Sequence, residues 1–215
     1  MDSNRLLLTG FEPFAGDPLN PAWELARRLD GERFGAWQVE SVCLPCSFEG
    51  ASRAVSAALE TPVAAVLSLG LAAGRAALSL ERVAVNLVDA RIPDNDGAQP
   101  IDEPVAVEGP PAYFSRLPVK AMAQACRTEG VPAELSLTAG SFVCNQVFYL
   151  LLHRLRDQPR VPVGFLHVPL LPALLGPGDQ RPALAWADQL RGLRAMLDCL
   201  ARGEPELHSA GGQLH

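Results

Sequence analysis

Short apolar segments alternate along the chain with stretches in which apolar residues recur at three- and four-residue spacing. Five segments are predicted to be strands, at residues 5–10, 37–44, 63–69, 134–138 and 161–168. Five stretches are predicted to be helices, at residues 21–29, 48–59, 118–129, 144–156 and 182–200. Apolar strands that alternate with helices indicate an α/β fold, with a mostly parallel sheet covered on both faces. Functional sites in such folds lie in the loops at the carboxyl ends of strands. The first candidates are therefore the segments after Leu8, Leu69, Thr138 and Phe165.

The pattern favours one domain. A length of 215 residues fits a single domain, and the regular elements continue almost to residue 202. We therefore predict a single domain over residues 1–202 and a flexible C-terminal tail over residues 203–215, which has little to bury. A long polar segment rich in Pro and Gly, residues 89–111, interrupts the alternation. Loops of this length inside compact domains are usually functional or disordered.

Composition narrows the class of protein. The chain has 18 basic and 24 acidic residues, a net charge of −6, and no run rich in Lys or Arg, which makes nucleic acids and membrane surfaces poor partners. Its apolar stretches are far shorter than the roughly 20 residues of a membrane span, and the N-terminus lacks the layout of a signal peptide. The five cysteines are an odd number in a chain long enough to bury a core. We therefore predict free thiols and a cytoplasmic location rather than a disulfide scaffold.

Cys144 is the first candidate for chemistry, because it stands between a predicted strand and a predicted helix. The positive end of a helix dipole favours the thiolate form of cysteine, and the unpaired N–H groups of a helix start are able to stabilise an oxyanion. The alternative is a buried cysteine that acts as a small apolar side chain, which is the commoner role of a free thiol.

A thiolate nucleophile needs a base, and the base needs an orienting group. His167 ends an apolar strand, so we expect its imidazole at the same sheet edge as Cys144. The alternative for His167 is a strand-end histidine that is bonded to a nearby carbonyl. Glu81 is flanked by apolar residues, and a buried carboxylate needs a partner. That partner is either the histidine or an arginine, for which the candidates are Arg75, Arg82 and Arg91.

Cys43 and Cys46 form a Cys-x-x-Cys pattern, which is typical of thiol redox centres. Redox motifs of this kind normally open a helix, where the pKa of the first thiol is lowered. Cys43 lies in a predicted strand instead, and the sequence offers no second pair of ligands for zinc. Coincidental spacing is the favoured interpretation, and a thiol oxidoreductase is the competing one.

Several segments then occur in the order and spacing of a known family: residues 8–14 and 20–21, 70–75, 78–86, 89–95, 136–145 and 164–169. Over roughly residues 6–172 the chain resembles the pyroglutamyl peptidase I family, or pyrrolidone-carboxylate peptidases. The segments around Glu81 and Cys144 are the most diagnostic ones.

The resemblance implies a three-layer α/β/α sandwich and a cysteine omega-peptidase, which removes N-terminal pyroglutamyl residues from peptides without a metal or cofactor. It assigns the nucleophile to Cys144, the base and acid to His167 and the orienting carboxylate to Glu81. It also implies seven substrate-binding residues: Phe11, Phe14, Leu71 (through its backbone), Arg91, Ile92, Phe142 and Val143. Aromatic walls with one donor and one acceptor suit a flat, neutral lactam.

The chain departs from the usual family pattern at Leu71, where many relatives have Gln, and at Leu170, where an aromatic residue is common. These departures keep an alternative open, in which the protein binds pyroglutamyl peptides without cleaving them. Relatives are commonly tetramers, so the resemblance also implies a homo-oligomer, most simply a homotetramer.

Overall fold

The computed structural model describes residues 3–211. The strands are β1 (Arg5–Phe11), β2 (Arg33–Phe34), β3 (Trp37–Leu44), β4 (Ala65–Leu71), β5 (Leu78–Glu81), β6 (Val83–Val85), β7 (Ala112–Phe114), β8 (Ala133–Ser136) and β9 (Val163–Val168). The helices are α1 (Pro21–Arg28), α2 (Phe48–Ala58), α3 (Val119–Thr128), α4 (Val143–Arg154) and α5 (Trp186–Ala201). Each predicted helix and strand is present within a few residues of its predicted bounds. Asn20 caps α1 as its side chain accepts a hydrogen bond from the Ala22 N–H, and Pro21 occupies the first helical position.

Seven strands form one sheet in the order β2-β3-β1-β4-β9-β5-β8. The pairs β1–β3, β1–β4, β4–β9 and β5–β8 are parallel, whereas β2–β3 and β5–β9 are antiparallel. The prediction of a mostly parallel sheet flanked by helices is confirmed. The two-residue edge strand β2 and the small antiparallel sheet β6–β7 have no separate signal in the hydrophobic pattern.

Two apolar cores make the fold a three-layer sandwich. Side chains alternate across a strand, so Leu6 and Leu8 face one core while Leu7 faces the other. The first core contains apolar residues of α1, α3 and α5, and the second contains those of α2 and α4. Cys126, in α3, and Cys199, in α5, are fully buried in the first core.

One part of the predicted topology is wrong. Because β5 is antiparallel to β9 and parallel to β8, both β5 and β8 run opposite to β9. The loop after β8 therefore leaves the sheet at the end opposite to the end of β9, and the chain crosses back before α4 begins. Cys144 nevertheless meets His167 near the carboxyl ends of β4 and β9, where its Sγ lies over Gly70 of β4, the register partner of His167.

Contacts with Asn86 and Val88, which precede it, and with the start of α2 hold the long polar segment 89–111 in place. The Asn86 amide bonds the backbone of Ala106 and Gly109, and Val88 pairs with Glu103 in an isolated bridge. The buried Asp94 carboxylate accepts a hydrogen bond from the Phe48 N–H and so caps α2 from a distant part of the chain. The segment thus has defined anchors on the layer that contains α2.

The described part of the tail, residues 203–211, lies against α3. The backbone N–H groups of Lys120 and Ala121 donate to the Glu206 carboxylate. Residues 212–215 of the tail that was predicted to be flexible lie outside the described residues. Between residues 3 and 211, no helix combines the length and the apolar character needed to cross a membrane.

Candidate active site

A cavity of about 280 Å³ opens where β1, β4 and β9 end and α4 begins. The residues that line it are Phe11, Phe14, Asp17, Leu19, Asn20, Cys46, Leu71, Ala139, Phe142, Cys144 and His167. Cys144 and His167 therefore border the same space, although β8, which precedes Cys144 in the chain, runs opposite to β9, which contains His167. The cavity offers the thiol, the imidazole and several apolar side chains to one small ligand.

Glu81 holds His167 from the neighbouring strand. Ser79 lies opposite His167 and Glu81 lies opposite Phe165, so Glu81 is the diagonal neighbour of His167 on the same face of the sheet. Glu81 Oε1 accepts a 2.7 Å hydrogen bond from His167 Nδ1. The Glu81 side chain is fully buried and that of His167 is 6% exposed. Since a carboxylate only accepts, Nδ1 carries the proton, and Nε2 is the ring nitrogen left for proton exchange.

Glu81 has a second partner, which is positively charged. Arg75, in the loop between β4 and β5, donates from Nη1 to the same Oε1 at 2.7 Å. The sequence left open whether Glu81 pairs with a histidine or with an arginine. The structure brings both partners to one carboxylate oxygen.

Burial sets the charge state of His167. Removal of the imidazole from water lowers its pKa below the usual value, and the positive charge of Arg75 acts in the same direction. The hydrogen bond and the negative charge of Glu81 oppose this shift without overcoming it. The imidazole is therefore neutral at neutral pH, which is the form that accepts a proton from a thiol.

Cys144 is the second residue of α4, and its neighbour fixes the start of that helix. The fully buried Asn145 amide donates to the carbonyls of Val85 and Leu87 and accepts from the Val85 N–H, at 2.9 Å in each case. These three hydrogen bonds tie the first turn of α4 to β6. The Phe142 side chain at the N-cap makes no hydrogen bond to the helix, so the first N–H groups of α4 are not capped by that side chain.

The thiol of Cys144 is neutral in the resting site. Desolvation by the surrounding protein is the largest influence and raises its pKa, and the nearby Cys46 and Glu81 add to the shift. Arg75 and a backbone N–H at the helix start lower it by less. The predicted preference of the helix start for thiolate is present, but burial outweighs it. Formation of the thiolate therefore requires a base.

Gly70 lets Cys144 approach the sheet. A Cβ atom at position 70 would lie 2.9 Å from Cys144 Sγ and 2.8 Å from Cζ of Phe165. Side-chain atoms do not normally approach so closely, so only glycine leaves the sulfur its position above β4.

Aromatic rings form one wall of the cavity. Phe142 packs against Phe14, with ring centroids 5.5 Å apart, and against Phe48 at 5.1 Å in an edge-to-face arrangement. Phe11, the last residue of β1, is 2% exposed and borders the same space. The wall joins the end of β1 to the start of α4.

The structure places the seven predicted substrate-binding residues differently. Phe11, Phe14, Leu71 and Phe142 line the cavity. Val143 is buried in the core beneath it, Ile92 is half-buried, and Arg91 is exposed; these three do not line it. Arg91 and Ile92 lie close after Asp89 in the chain. The Asp89 N–H donates to the carbonyl of Ser141, in the loop before α4, and the Ser141 hydroxyl donates to the Asp89 carbonyl.

Sequence reasoning missed five lining residues, which are Asp17, Leu19, Asn20, Cys46 and Ala139. A connected polar group explains how two of them reach the site. Glu12 Oε1 accepts from the Cys46 N–H at 3.0 Å and from Asn95 Nδ2 at 2.9 Å, while the Glu12 carbonyl accepts from Asn20 Nδ2. Glu12, Asn20 and Asn95 all belong to the segments that carry the family resemblance, which was the available signal.

Cys43 and Cys46 do not form a redox site of the usual kind. Cys43 is exposed and Cys46 is buried, and both thiols are free. Desolvation and the nearby Glu12 carboxylate raise the pKa of Cys43 to about 11 and that of Cys46 to about 12. A redox pair needs a lowered pKa on its attacking thiol, so the coincidental interpretation of the spacing gains support.

Comparison with known proteins agrees with this geometry. The family model described as pyroglutamyl peptidase matches residues 4–203. A pyrrolidone-carboxylate peptidase of Cupriavidus taiwanensis is 48% identical over 213 residues, which cover 98% of this chain and 99% of that one. A pyrrolidone-carboxylate peptidase of Yersinia pestis is 44% identical over 98% of this chain and 99% of its own length.

Solved structures lead to the same family. The crystal structure of pyroglutamyl peptidase I from Bacillus amyloliquefaciens matches with a TM-score of 0.92 and 35% identity, over 97% of this chain and all of that one. The pyrrolidone carboxyl peptidase of Thermococcus litoralis matches with a TM-score of 0.91 and 33% identity, over 97% and 100%. The family model, the relatives and the solved structures each match almost the whole length of this chain. The chain belongs to the pyroglutamyl peptidase family.

Proposed function

We propose that this protein is a cysteine omega-peptidase that removes an N-terminal pyroglutamyl residue from peptides. The observation that carries the proposal is the constellation at the cavity, where Cys144 and His167 share one space and the buried Glu81 bonds Nδ1 of the histidine. This is the order of nucleophile, base and orienting group that thiol catalysis requires.

The first chemical step is proton transfer from Cys144 Sγ to His167 Nε2. The thiolate then attacks the carbonyl carbon that follows the lactam ring and forms a tetrahedral oxyanion. The backbone N–H groups at the start of α4 are the proposed donors to this oxyanion. Glu81 keeps the proton on Nδ1 and stabilises the imidazolium as it forms.

The second step expels the amine of the next residue, which takes its proton from His167. The product left on the enzyme is a thioester between Cys144 and the pyroglutamyl group. Water, which is deprotonated by the same imidazole, hydrolyses the thioester and regenerates the thiol. No metal or cofactor takes part in this proposal.

The cavity suits a small, uncharged ring. Phe11, Phe14 and Phe142 supply apolar faces for the lactam, and the backbone at Leu71 is the proposed hydrogen-bond partner of its polar edge. A peptide with a free, charged N-terminal amine would lose the solvation of that charge among these side chains. Arg91, Ile92 and Val143 do not line the cavity, and we propose them as supports of the site rather than as direct contacts.

Hydrolysis of a chromogenic L-pyroglutamyl amide tests the proposal. The comparison is wild type against Cys144→Ala, with Cys43→Ser as the matched control because that thiol is free and exposed. Release by wild type and Cys43→Ser, and none by Cys144→Ala, is the expected result. Tight binding of the amide by wild type without turnover would instead favour a pyroglutamyl-peptide-binding protein.

We further propose a cytoplasmic location and a homo-oligomer, with a tetramer as the assembly implied by the resemblance. All five cysteines are free, which is typical of a reducing compartment. Apolar residues on and near the β6–β7 sheet are exposed, with Phe114 at 71%, Ile101 at 64% and Val107 at 84%. Such exposure favours a covering partner, and light scattering of the purified protein would measure its mass in solution.

A further inference from the structure

Within residues 3–211, Arg75 is the one positively charged side chain in contact with Glu81, which is also bonded to the neutral His167. Its Nη1 lies 2.7 Å from Glu81 Oε1, the oxygen that also accepts the hydrogen bond from His167 Nδ1. The Glu81 side chain has no exposure, whereas that of Arg75 is 25% exposed. The guanidinium therefore meets the carboxylate from the solvent side, and the imidazole meets it from the cavity side.

Arg75 also reaches the loop that carries the thiol. Its Nη2 donates to the carbonyl of Thr138 at 3.2 Å. Thr138 lies between the end of β8 and the start of α4, where Ser136 Oγ accepts a hydrogen bond from its N–H. The Arg75 backbone N–H donates to Ala72, close after the cavity residue Leu71. One side chain thus joins the β4–β5 loop, β5 and the loop before Cys144.

The charges around the thiol and imidazole come from few groups. Glu81 on β5 and Arg75 in the β4–β5 loop act on both, and Cys46, before α2, acts on the thiol. Glu81 alone would hold a proton on the imidazole and oppose a thiolate, because a negative charge favours the protonated form of each. The positive charge of Arg75 acts in the opposite direction on both groups.

We propose that Arg75 is a positioning residue, which fixes Glu81 against His167 and offsets the charge of Glu81 so that the thiol and imidazole exchange their proton near neutral pH. The inference rests on the proposed function, since it assigns Arg75 a part in the same reaction. Arg75 is not among the residues that line the cavity.

The test compares Arg75→Gln, which removes the charge, with Arg75→Lys, which keeps the charge but loses the two-point fork. The readout is the pH profile of kcat/KM for a pyroglutamyl amide. Loss of a nearby positive charge raises the pKa of both groups, so both limbs of the Arg75→Gln profile should move to higher pH by roughly 0.5–1 unit. Arg75→Lys should lower kcat while its limbs stay where those of wild type lie. Arg53→Gln, which removes a cation of an exposed ion pair on α2, is the control and should match wild type.

A purely structural role would lower kcat in Arg75→Gln without moving either limb, and that result would overturn the proposal. If Arg75→Gln does not fold, as judged by circular dichroism, Arg75→Met takes its place as the variant that removes the charge, and the same upward movement of both limbs is expected of it. For Arg75→Lys, a shift of the limbs as large as half a unit would contradict the role assigned to the charge.

A second readout separates this inference from the peptidase activity. The rate at which iodoacetamide alkylates Cys144, followed at that site by mass spectrometry, reports thiolate formation without any peptide substrate. Arg75→Gln should move this pH profile upward as well. If wild type cleaves no pyroglutamyl amide but the alkylation shift is found, the proposed function fails and the role of Arg75 stands. Identical alkylation profiles in wild type and variant would contradict that role.

Discussion

Glu81 and His167 lie on neighbouring antiparallel strands as diagonal partners, joined by a 2.7 Å hydrogen bond from Nδ1 to Oε1. Both side chains are almost fully removed from solvent. The bond fixes the tautomer of the imidazole and leaves Nε2 for the thiol. The register of β5 against β9 therefore sets the orientation of the His167 imidazole.

Replacement of Glu81 by Gln should therefore impair catalysis far more than folding. The amide is able to donate to Nδ1 and so to favour the wrong tautomer, and we expect kcat/KM to fall roughly 100- to 10,000-fold. The Glu81 charge raises the pKa of His167, so the acid limb of the residual pH profile should move to lower pH. The control is Glu49→Gln on the exposed surface of α2. Wild-type activity in Glu81→Gln would contradict the orienting role.

Gly70→Ala tests the close approach of Cys144 to the sheet. The added methyl group would meet Cys144 Sγ at 2.9 Å and the ring of Phe165, so the sulfur must move. We expect activity to fall about 10- to 100-fold, as is typical when a reacting atom is displaced by about 1 Å. Gly74→Ala is the matched control, because nothing lies within 4 Å of a Cβ atom there and its φ is not positive. Equal activity of the two variants would show that the approach does not matter.

Asn145→Ala tests how the first turn of α4 is held. The substitution removes three buried hydrogen bonds and leaves the polar backbone groups of Val85 and Leu87 without their partner. The free energy of unfolding should fall by about 2–4 kcal/mol. Urea denaturation measures this loss, with Gln124→Ala on the exposed side of α3 as the reference. A change below about 0.5 kcal/mol, the usual effect of a surface substitution, would mean that the amide is not an anchor.

Protonation of His167 should destabilise the folded protein. Its pKa is lowered in the folded state, mainly by burial, so the unfolded chain binds the proton more strongly. The stability contributed by the neutral ring is complete above the unfolded pKa of about 6.5 and is lost as the pH falls from there toward the folded pKa. Between pH 7.5 and 5.5 wild type should lose more unfolding free energy than His167→Asn, by up to about 1 kcal/mol. Equal losses in the two proteins would contradict the shift.

The hydrophobic pattern predicts the layers of this fold because buried elements have recognisable apolar patterns. A helix buried on one face has apolar residues at three- and four-residue spacing, and a strand buried on both faces has a continuous apolar run. The strand β1, with three consecutive leucines, reports burial on both faces, and α1 is marked by Asn20 and Pro21. The reversed direction of β5 and β8 leaves no such trace, since a buried strand has the same composition in either direction. This is why Cys144 was expected to follow directly from a strand parallel to β9, whereas the chain has to cross back from the end of β8 to reach His167.

The candidate site could be predicted in part. Phe11, Phe14, Leu71 and Phe142 were predicted through the family resemblance, and they line the cavity with Cys144 and His167. Cys46 also lines it, yet the Cys-x-x-Cys spacing suggested only redox chemistry or chance. Its place depends on a hydrogen bond from its N–H to Glu12, 34 residues away. A contact between such distant parts of the chain has no local pattern.

The central claim is that Cys144 carries the acyl group during the reaction. The direct test mixes the protein with an activated pyroglutamyl ester, quenches within the first turnover and locates the added mass by peptide mass spectrometry. The account predicts one pyroglutamyl group on the peptide that contains Cys144, and none in Cys144→Ala. Turnover of the ester without this adduct, or an adduct on another residue such as Cys46, would contradict it.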